Sequence, residues 1–337
     1  MIRTIEGDHA RRKLVVAGAG AIGLTLAARL GLSRQDVHLI ARGSSLDTIR
    51  RDGIRLIDME GLHHVAIKTT SAEDGDAAEF LFLCSKSQDL PALAASVAHL
   101  VTPATAVVRV INGMPWWYFE RLAGSWEGMQ IRSVDPAGVL KACIPSHNII
   151  GTTTMVTAER KEPGVALTFN PLQMTLGENN DILSERVDQL GSILEGAGFN
   201  VSKTARIRDA VWTKVVRNLI SNPVTAITGA TLRQNFGDAH LVAISRQMLD
   251  EALPLIAAYE SRVEVEPAQI IESGRRLGDV KTSMLQDLER GNELELASIC
   301  DAVLELADLR GIPMPVTRAV SDLAHFKSNR SAGVVAA

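Results

Sequence analysis

The stretch from Lys13 to Leu30, KLVVAGAGAIGLTLAARL, constrains the fold more than any other part of the chain. A short apolar run, Leu14 to Val16, reads as a buried strand. Gly18, Gly20 and Gly23 follow at the spacing G-x-G-x-x-G, and Ile22, Leu24, Leu26 to Ala28 and Leu30 continue as a helix. Strand, tight turn and helix in that order favour a dinucleotide site. The first glycine permits the turn, the second lets a pyrophosphate approach the backbone, and the third lets the helix pack closely on the sheet. Ala19, Ala21 and Ile22 complete the loop, whose helix N-terminus offers unpaired N–H groups and a positive dipole end to phosphate. The competing reading is a plain strand-to-helix turn that uses glycine only for packing.

Arg11, Arg12 and Lys13 ahead of an uncharged run also resemble the start of a signal peptide. That run is shorter than the ~20 residues of a spanning helix, and its glycines keep the nucleotide-binding spacing. No other stretch is a membrane candidate, and residues 1 to 10 read as a loose extension. The 337 residues, 46% of them hydrophobic, are enough for a sizeable core and two domains. A net charge of −4 and the lack of a basic run interleaved with aromatics argue against a nucleic-acid partner and for a small ligand. Cys84, Cys143 and Cys300 are far apart, with no C-x-x-C and no histidine spacing for a metal, so no metal is expected and a reducing cytoplasm fits. The adjacent His63 and His64 would point to opposite sides of a strand and read as surface residues.

Val37 to Ala41 reads as a second strand, and its end bears on the cofactor. NAD-binding chains usually place Asp or Glu there to bind the ribose 2′-OH. This chain has Ala41 and then Arg42, whose planar donor fork suits a 2′-phosphate, which favours NADP over NAD. A solvated loop arginine is the alternative. Residues 53 to 68 hold two short alternating segments, read as a hairpin. Glu79 to Cys84 and Ala104 to Ile111 are further strands, with a helix over Leu90 to Leu100 between them. Alternation of this kind predicts a parallel, doubly wound sheet with ligands at the C-terminal strand ends, where Arg42, Lys86 and Asn112 fall.

Met114 to Phe119 places aromatics beside one of those ends, as pocket wall or as packing. Asn148 to Val156, Val165 to Asn170 and Gln173 to Leu176 read as strands joined by turns at Glu162-Pro-Gly and Asn170-Pro, extending the sheet in antiparallel fashion. A helix over Asp181 to Gly196 and a last strand at Asn200 to Ser202 follow. From Arg206 to about Phe326 only helical periodicity remains, and residues 328 to 337 read as a frayed tail. The boundary is set at 204, dividing the chain into 1–204 and 205–337.

Within the helical half, Val211 to Thr228 reads as a mostly apolar helical stretch, ended or bent near Pro223, on which Lys214, Asn218 and Asn222 recur every four residues. The stripe is either a polar cleft or a solvated edge. Chemistry suits the cleft, because carbonyl reduction needs a proton donor for the developing alkoxide, and a lysine ammonium can supply the proton while attracting a carboxylate. SMLQD at 283 to 287, followed by Glu289, Glu293 and Glu295, forms a second polar cluster in which spacing alone singles out no glutamate.

Five motifs in this order resemble the ketopantoate reductase (2-dehydropantoate 2-reductase) family over nearly the whole chain after residue 12: GAGAIG at 18–23, Ser85-Lys86, Asn112-Gly113, K-x-x-x-N-x-x-x-N-P from Lys214, and SMLQD with Glu295. The resemblance implies an α/β N-terminal Rossmann-type domain, an all-α C-terminal domain and NADPH between them. It implies reduction of ketopantoate to (R)-pantoate in pantothenate biosynthesis. By position it makes Lys214 the proton donor, Asn218, Asn222 and Ser283 substrate contacts, and Glu295 a catalytic support beside the cofactor. Arg42, Lys86, Asn112 and Thr157 become cofactor contacts. Two departures flank the substrate side: Ala297 stands where members often carry Asp, and the Trp116-Trp117 segment has a longer connection to Asp135 than the shortest members. They leave open which 2-oxo acid is reduced. A different 2-oxo acid or a non-catalytic NADP-binding sensor are the alternatives, and a homodimer through the helical half is a further expectation.

Overall fold

A computed structural model describes residues 12–335. The expectation for residues 1 to 10 lies outside the described residues. In the N-terminal half, β1 (Lys13–Ala17), α1 (Ala21–Leu32), β2 (Asp36–Ile40), α2 (Gly43–Asp52), β3 (Ile54–Asp58), β4 (Gly61–Val65), β5 (Lys68–Thr70), β6 (Phe80–Leu83), α3 (Leu90–Val97) and β7 (Ala106–Arg109) come first. They are followed by α4 (Val139–Cys143), β8 (Ile149–Glu162), β9 (Val165–Glu178), α5 (Glu185–Gly196) and β10 (Asn200–Lys203). The strands form one ten-stranded sheet in the order β4-β3-β9-β8-β7-β6-β1-β2-β5, with β10 against β9. β2, β1, β6, β7 and β8 run parallel, and the β3–β4 and β8–β9 pairs are antiparallel. This is the α/β, Rossmann-type half that the sequence leads one to expect.

The apolar run behind the signal-peptide alternative is divided between β1 and α1, and no helix among the described residues is long and apolar enough to cross a membrane. All three cysteines are free thiols. The β3–β4 hairpin forms as expected, whereas β5, which pairs with β2, has no distinct periodic signal.

One expected turn is absent. Asn170-Pro171 lies inside β9, whose ladder with β8 shifts register between Met155 and Thr157, opposite Phe169 and Gln173. Proline has no N–H to give a ladder, and a bulge tolerates that loss without ending the strand. The chain therefore makes one long, irregular hairpin instead of three short strands.

The C-terminal half is helical: α6 (Ile207–Leu219), α7 (Asn222–Thr228), α8 (Leu232–Gly237), α9 (Ala239–Ala258), α10 (Pro267–Arg276) and α11 (Ser283–Glu289), a π-turn over Ala297–Asp301, α12 (Ala302–Arg310) and α13 (Pro315–Val335). The last helix runs through most of the segment expected to fray, a correction to that reading. The helical stretch over Val211 to Thr228 is interrupted near Pro223, as expected, with the break at Ile220 and Ser221, so that Pro223 falls in the first turn of α7, where its missing N–H costs nothing.

The aromatics of Met114 to Phe119 hold the halves together. Trp116, Trp117, Tyr118 and Phe119 are buried in one cluster with Val211, Trp212 and Val215 of α6. Trp212 Nε1 donates to the Tyr118 hydroxyl at 2.7 Å. Arg208, 4% exposed, donates to the carbonyls of Tyr118, Glu120 and Asn179. These aromatics are therefore packing, and α6 is fixed against the sheet by its first two turns.

Candidate functional site

Parallel register sets up one edge of the site. Ala17 pairs with Ile40 on one side and Leu83 on the other, and Leu83 pairs with Arg109. The residues that follow these strands, namely the glycine loop, Arg42, Ser85-Lys86 and Asn112, consequently emerge from the same edge of the sheet.

In the glycine loop the three glycines have different reasons to be glycine. Gly18 has φ +111°, and a Cβ there would lie 2.1 Å from the Cys84 carbonyl oxygen; a Cβ on Gly23 would lie 1.9 Å from the Gly18 carbonyl oxygen. Both close approaches are made by the protein to itself. At Gly20, the N-cap of α1, the nearest atom to a Cβ is 4.0 Å away, so the fold does not need glycine at that point. The space a side chain would fill lies at the helix N-terminus, where an anion is favoured. Ala19, Ala21 and Ile22 complete this turn, and α1 carries no acidic residue in its first turn.

Arg42 caps α2, is exposed, and makes no hydrogen bond or ion pair with another described residue. Thr157 is exposed on β8, but its neighbour Val156 lines a small apolar cavity with Ile22, which brings this strand beside the start of α1. The same arm reaches the helical half through an Arg290–Glu159 ion pair at 2.6 Å.

Lys86 is where the halves meet. Its Nζ donates to Asp287 Oδ2 at 2.6 Å and lies 3.5 Å from Glu295 Oε2. Glu295 also accepts from the backbone N–H of Ser87 at 2.9 Å, and Gln88 donates to the Glu293 carbonyl. Desolvation works against the Lys86 charge, but the two carboxylates outweigh it and its pKa is raised. Among the glutamates that spacing left equal, the structure separates one: Glu289 and Glu293 are exposed, whereas Glu295 is 5% exposed and fully engaged.

Asn112 belongs to a loop gripped from two sides. Arg109, 3% exposed, donates to the carbonyls of Asn112 and Gly113 at 2.6 and 3.2 Å. Met114 N–H donates to the Ser298 carbonyl at 2.7 Å, and at Gly113, with φ +81°, a Cβ would meet Ser298 Oγ at 2.3 Å. Burial lowers the Arg109 pKa to about 10, opposed by the charge of Glu295. Asp287 and Arg109 were not singled out from sequence. Arg109 did leave a signal, as the one charge in the apolar run Ala104 to Ile111.

In the helical half, Lys214 and Asn218 share a face of α6, and Asn222 opens α7 past the break. Asn218 is 8% exposed and its Nδ2 has no hydrogen-bond partner. Asn222, 4% exposed, accepts from Ser221 Oγ. Lys214 is half-buried and makes no hydrogen bond or ion pair among the described residues. Desolvation, and after it the charge of Arg217, lowers its pKa to about 8. Ser283, exposed at the start of α11, follows Thr282, whose hydroxyl bonds that of Thr225 at 2.7 Å, one turn beyond Asn222. The sheet edge thus leads into the N-terminus of α1, and α6 carries an ammonium unpaired among the described residues beside one unmet amide donor, Asn218 Nδ2.

The family model described as ketopantoate reductase PanE/ApbA matches residues 14–181, and the model of its C-terminal part matches residues 206–328. A 2-dehydropantoate 2-reductase of Mesorhizobium japonicum is 34% identical over 310 residues, covering 91% of this chain and 95% of its own. The chain belongs to the ketopantoate reductase family. Members are oxidoreductases. The crystal structure of a Ralstonia solanacearum protein provisionally named ketopantoate reductase superposes with a TM-score of 0.90 at 28% identity, covering 95% of this chain and 99% of that one. D-mandelate dehydrogenase, solved with NADH and anilino(oxo)acetate, shares the fold at a TM-score of 0.82 and 19% identity, covering 95% and 99%.

Proposed function

We propose that the protein reduces the carbonyl of a 2-oxo acid, ketopantoate to (R)-pantoate, with NADPH as cofactor. The single observation behind this reading is Lys214, a half-buried ammonium on α6 with no counter-charge among the described residues, its pKa lowered to about 8. Membership of the ketopantoate reductase family supports the reaction class, and the Mesorhizobium relative's name supports the substrate.

When bound, NADPH supplies a hydride to the carbonyl carbon. Gly18, Ala19, Gly20, Ala21, Ile22 and Gly23 would hold its pyrophosphate at the N-terminus of α1, which the open space at Gly20 fits. Arg42, an exposed guanidinium with no partner among the described residues, fits a 2′-phosphate. Lys86, Asn112 and Thr157 complete the cofactor contacts. Lys214 gives its proton to the carbonyl oxygen, leaving a neutral amine that regains a proton from water, and an acid with a pKa near working pH does this efficiently. Asn218 and Asn222 orient the substrate through amides that add no charge, with Ser283 as a further contact. Glu295 keeps the Ser85–Gln88 loop seated against the helical half, through bonds already made to Ser87 and Lys86.

Following NADPH absorbance with a panel of 2-oxo acids, ketopantoate included, tests the reading. Oxidation with ketopantoate as the preferred acid is expected. Preference for another acid replaces the substrate, and no oxidation with any acid overturns the reductase assignment.

A further inference from the structure

The proposed reaction puts negative charge on the substrate in two places. A 2-oxo acid carries a standing carboxylate, and its carbonyl oxygen gains charge as hydride arrives. One cation cannot serve both well, because Lys214 becomes neutral when it gives up its proton. A carboxylate held only by Lys214 would lose its counter-ion at that moment.

A second cation stands beside it. Arg217 follows Lys214 by three positions on α6, so their side chains leave the helix on neighbouring sides. They are close enough that the charge of Arg217 acts on Lys214. Its surroundings are incomplete for an arginine. The side chain is half-buried, its Nε is buried without a partner, and its one side-chain bond is from Nη1 to Ser273 Oγ at 3.5 Å, the outer limit of a hydrogen bond. No carboxylate pairs with it among the described residues. Nε is unpartnered in Arg29 and Arg109 as well, but the terminal nitrogens of the buried arginines are employed: Arg29 pairs with Asp58 and Glu60, Arg208 bonds three carbonyls and Asp181, and Arg109 bonds the Asn112–Met114 loop. Burying a guanidinium without an acceptor is unfavourable, and the cost is recovered when an anion arrives. A planar donor fork is matched to a carboxylate in a way that an ammonium is not.

We propose that Arg217 is the anchor for the substrate carboxylate, which leaves Lys214 free to protonate the carbonyl oxygen. The inference rests on the reductase reading and deepens it, dividing the positive charge of the helical half into one group that binds and one that reacts. Arg217 keeps its charge throughout the reaction, so the carboxylate stays neutralised in substrate and product alike. A 2-oxo acid is then selected over a neutral ketone of the same shape. Asn218, next to Arg217 in the chain and with an unmet Nδ2, offers an uncharged donor beside this anchor.

The test is calorimetric binding of ketopantoate, and separately of its uncharged lactone, to the NADP⁺-loaded protein. Wild type is compared with Arg217→Leu and Arg217→Lys, and thermal melting with NADP⁺ affinity reports whether each variant is folded. Arg217→Leu should bind the acid about 10²-fold more weakly, the order expected when one partner of a buried charged pair is removed. Lactone binding should stay unchanged, and Arg217→Lys should recover part of the loss. Equal losses for acid and lactone, or no loss for either in a folded variant, overturn the anchor. If the acid binds through Arg217 but wild type oxidises no NADPH, the anchor stands and the reductase reading falls.

Discussion

Lys86 and Lys214, one on each half of the chain, stand in opposite surroundings. Lys86 stands at a strand end with Asp287 at 2.6 Å and Glu295 at 3.5 Å, and its pKa is raised. Lys214 stands in mid-helix, with no carboxylate paired to it among the described residues and a second cation nearby, and its pKa falls to about 8. A lysine locked between two acids holds its proton and serves position. A lysine stripped of water without a counter-ion gives its proton up readily. Under the proposed function, the difference puts binding on one half and chemistry on the other.

The largest expected effect falls on the chemical side. Lys214→Ala should lower the turnover of a 2-oxo acid by about 10²–10⁴-fold, the usual contribution of a positioned acid, with NADPH affinity unaltered when measured by fluorescence titration. Next comes the glycine loop, where two substitutions should separate fold from function. Gly18→Ala drives a Cβ into the Cys84 carbonyl from a positive-φ position, and chemical denaturation should show a loss of about 3 kcal/mol or more. Gly20→Ala meets nothing within contact range, so stability should move by less than about 1 kcal/mol while nucleotide binding weakens. Equal melting of the two variants would remove the distinction between structural and ligand-facing glycines.

Glu295→Gln keeps the shape but takes the charge from the bonds to Ser87 and Lys86. Charge-assisted hydrogen bonds are worth about 1.5–3 kcal/mol each, so kcat/KM should fall between about tenfold and about a hundredfold. A variant as active as wild type would make that contact incidental. The smallest change is at Arg42, whose guanidinium has no partner among the described residues. Arg42→Ala should reduce the preference for NADPH over NADH about tenfold, with the melting temperature steady, and an unchanged preference would leave the 2′-phosphate without its reader.

Much of this was legible in the residues because local patterns carry it. The strand–turn–helix of the glycine loop, the parallel α/β order and the change to pure helix after Arg206 rest on periodicities of a few residues, and the sheet and helices formed accordingly. What stayed hidden depends on distance. Asp287 and Glu295 meet Lys86 across some 200 residues of chain, and no spacing rule distinguishes Glu295 from the exposed Glu293 two positions earlier. The break between α6 and α7 precedes the proline expected to cause it, and Asn170-Pro171 is absorbed by a bulge instead of making a turn. In both places tertiary packing decided where the backbone yielded. Arg217 was passed over because a lone arginine on a helix usually means solvent, and only its missing partners mark it out.

The central claim is that Lys214, lacking a counter-charge, is the acid of the reaction. The pH dependence of kcat at saturating NADPH and 2-oxo acid measures it directly. Raising the pH removes the proton that Lys214 must donate, so the rate should hold at lower pH and fall through about pH 8. A rate that stays level from about pH 7 to about pH 10 would contradict the account.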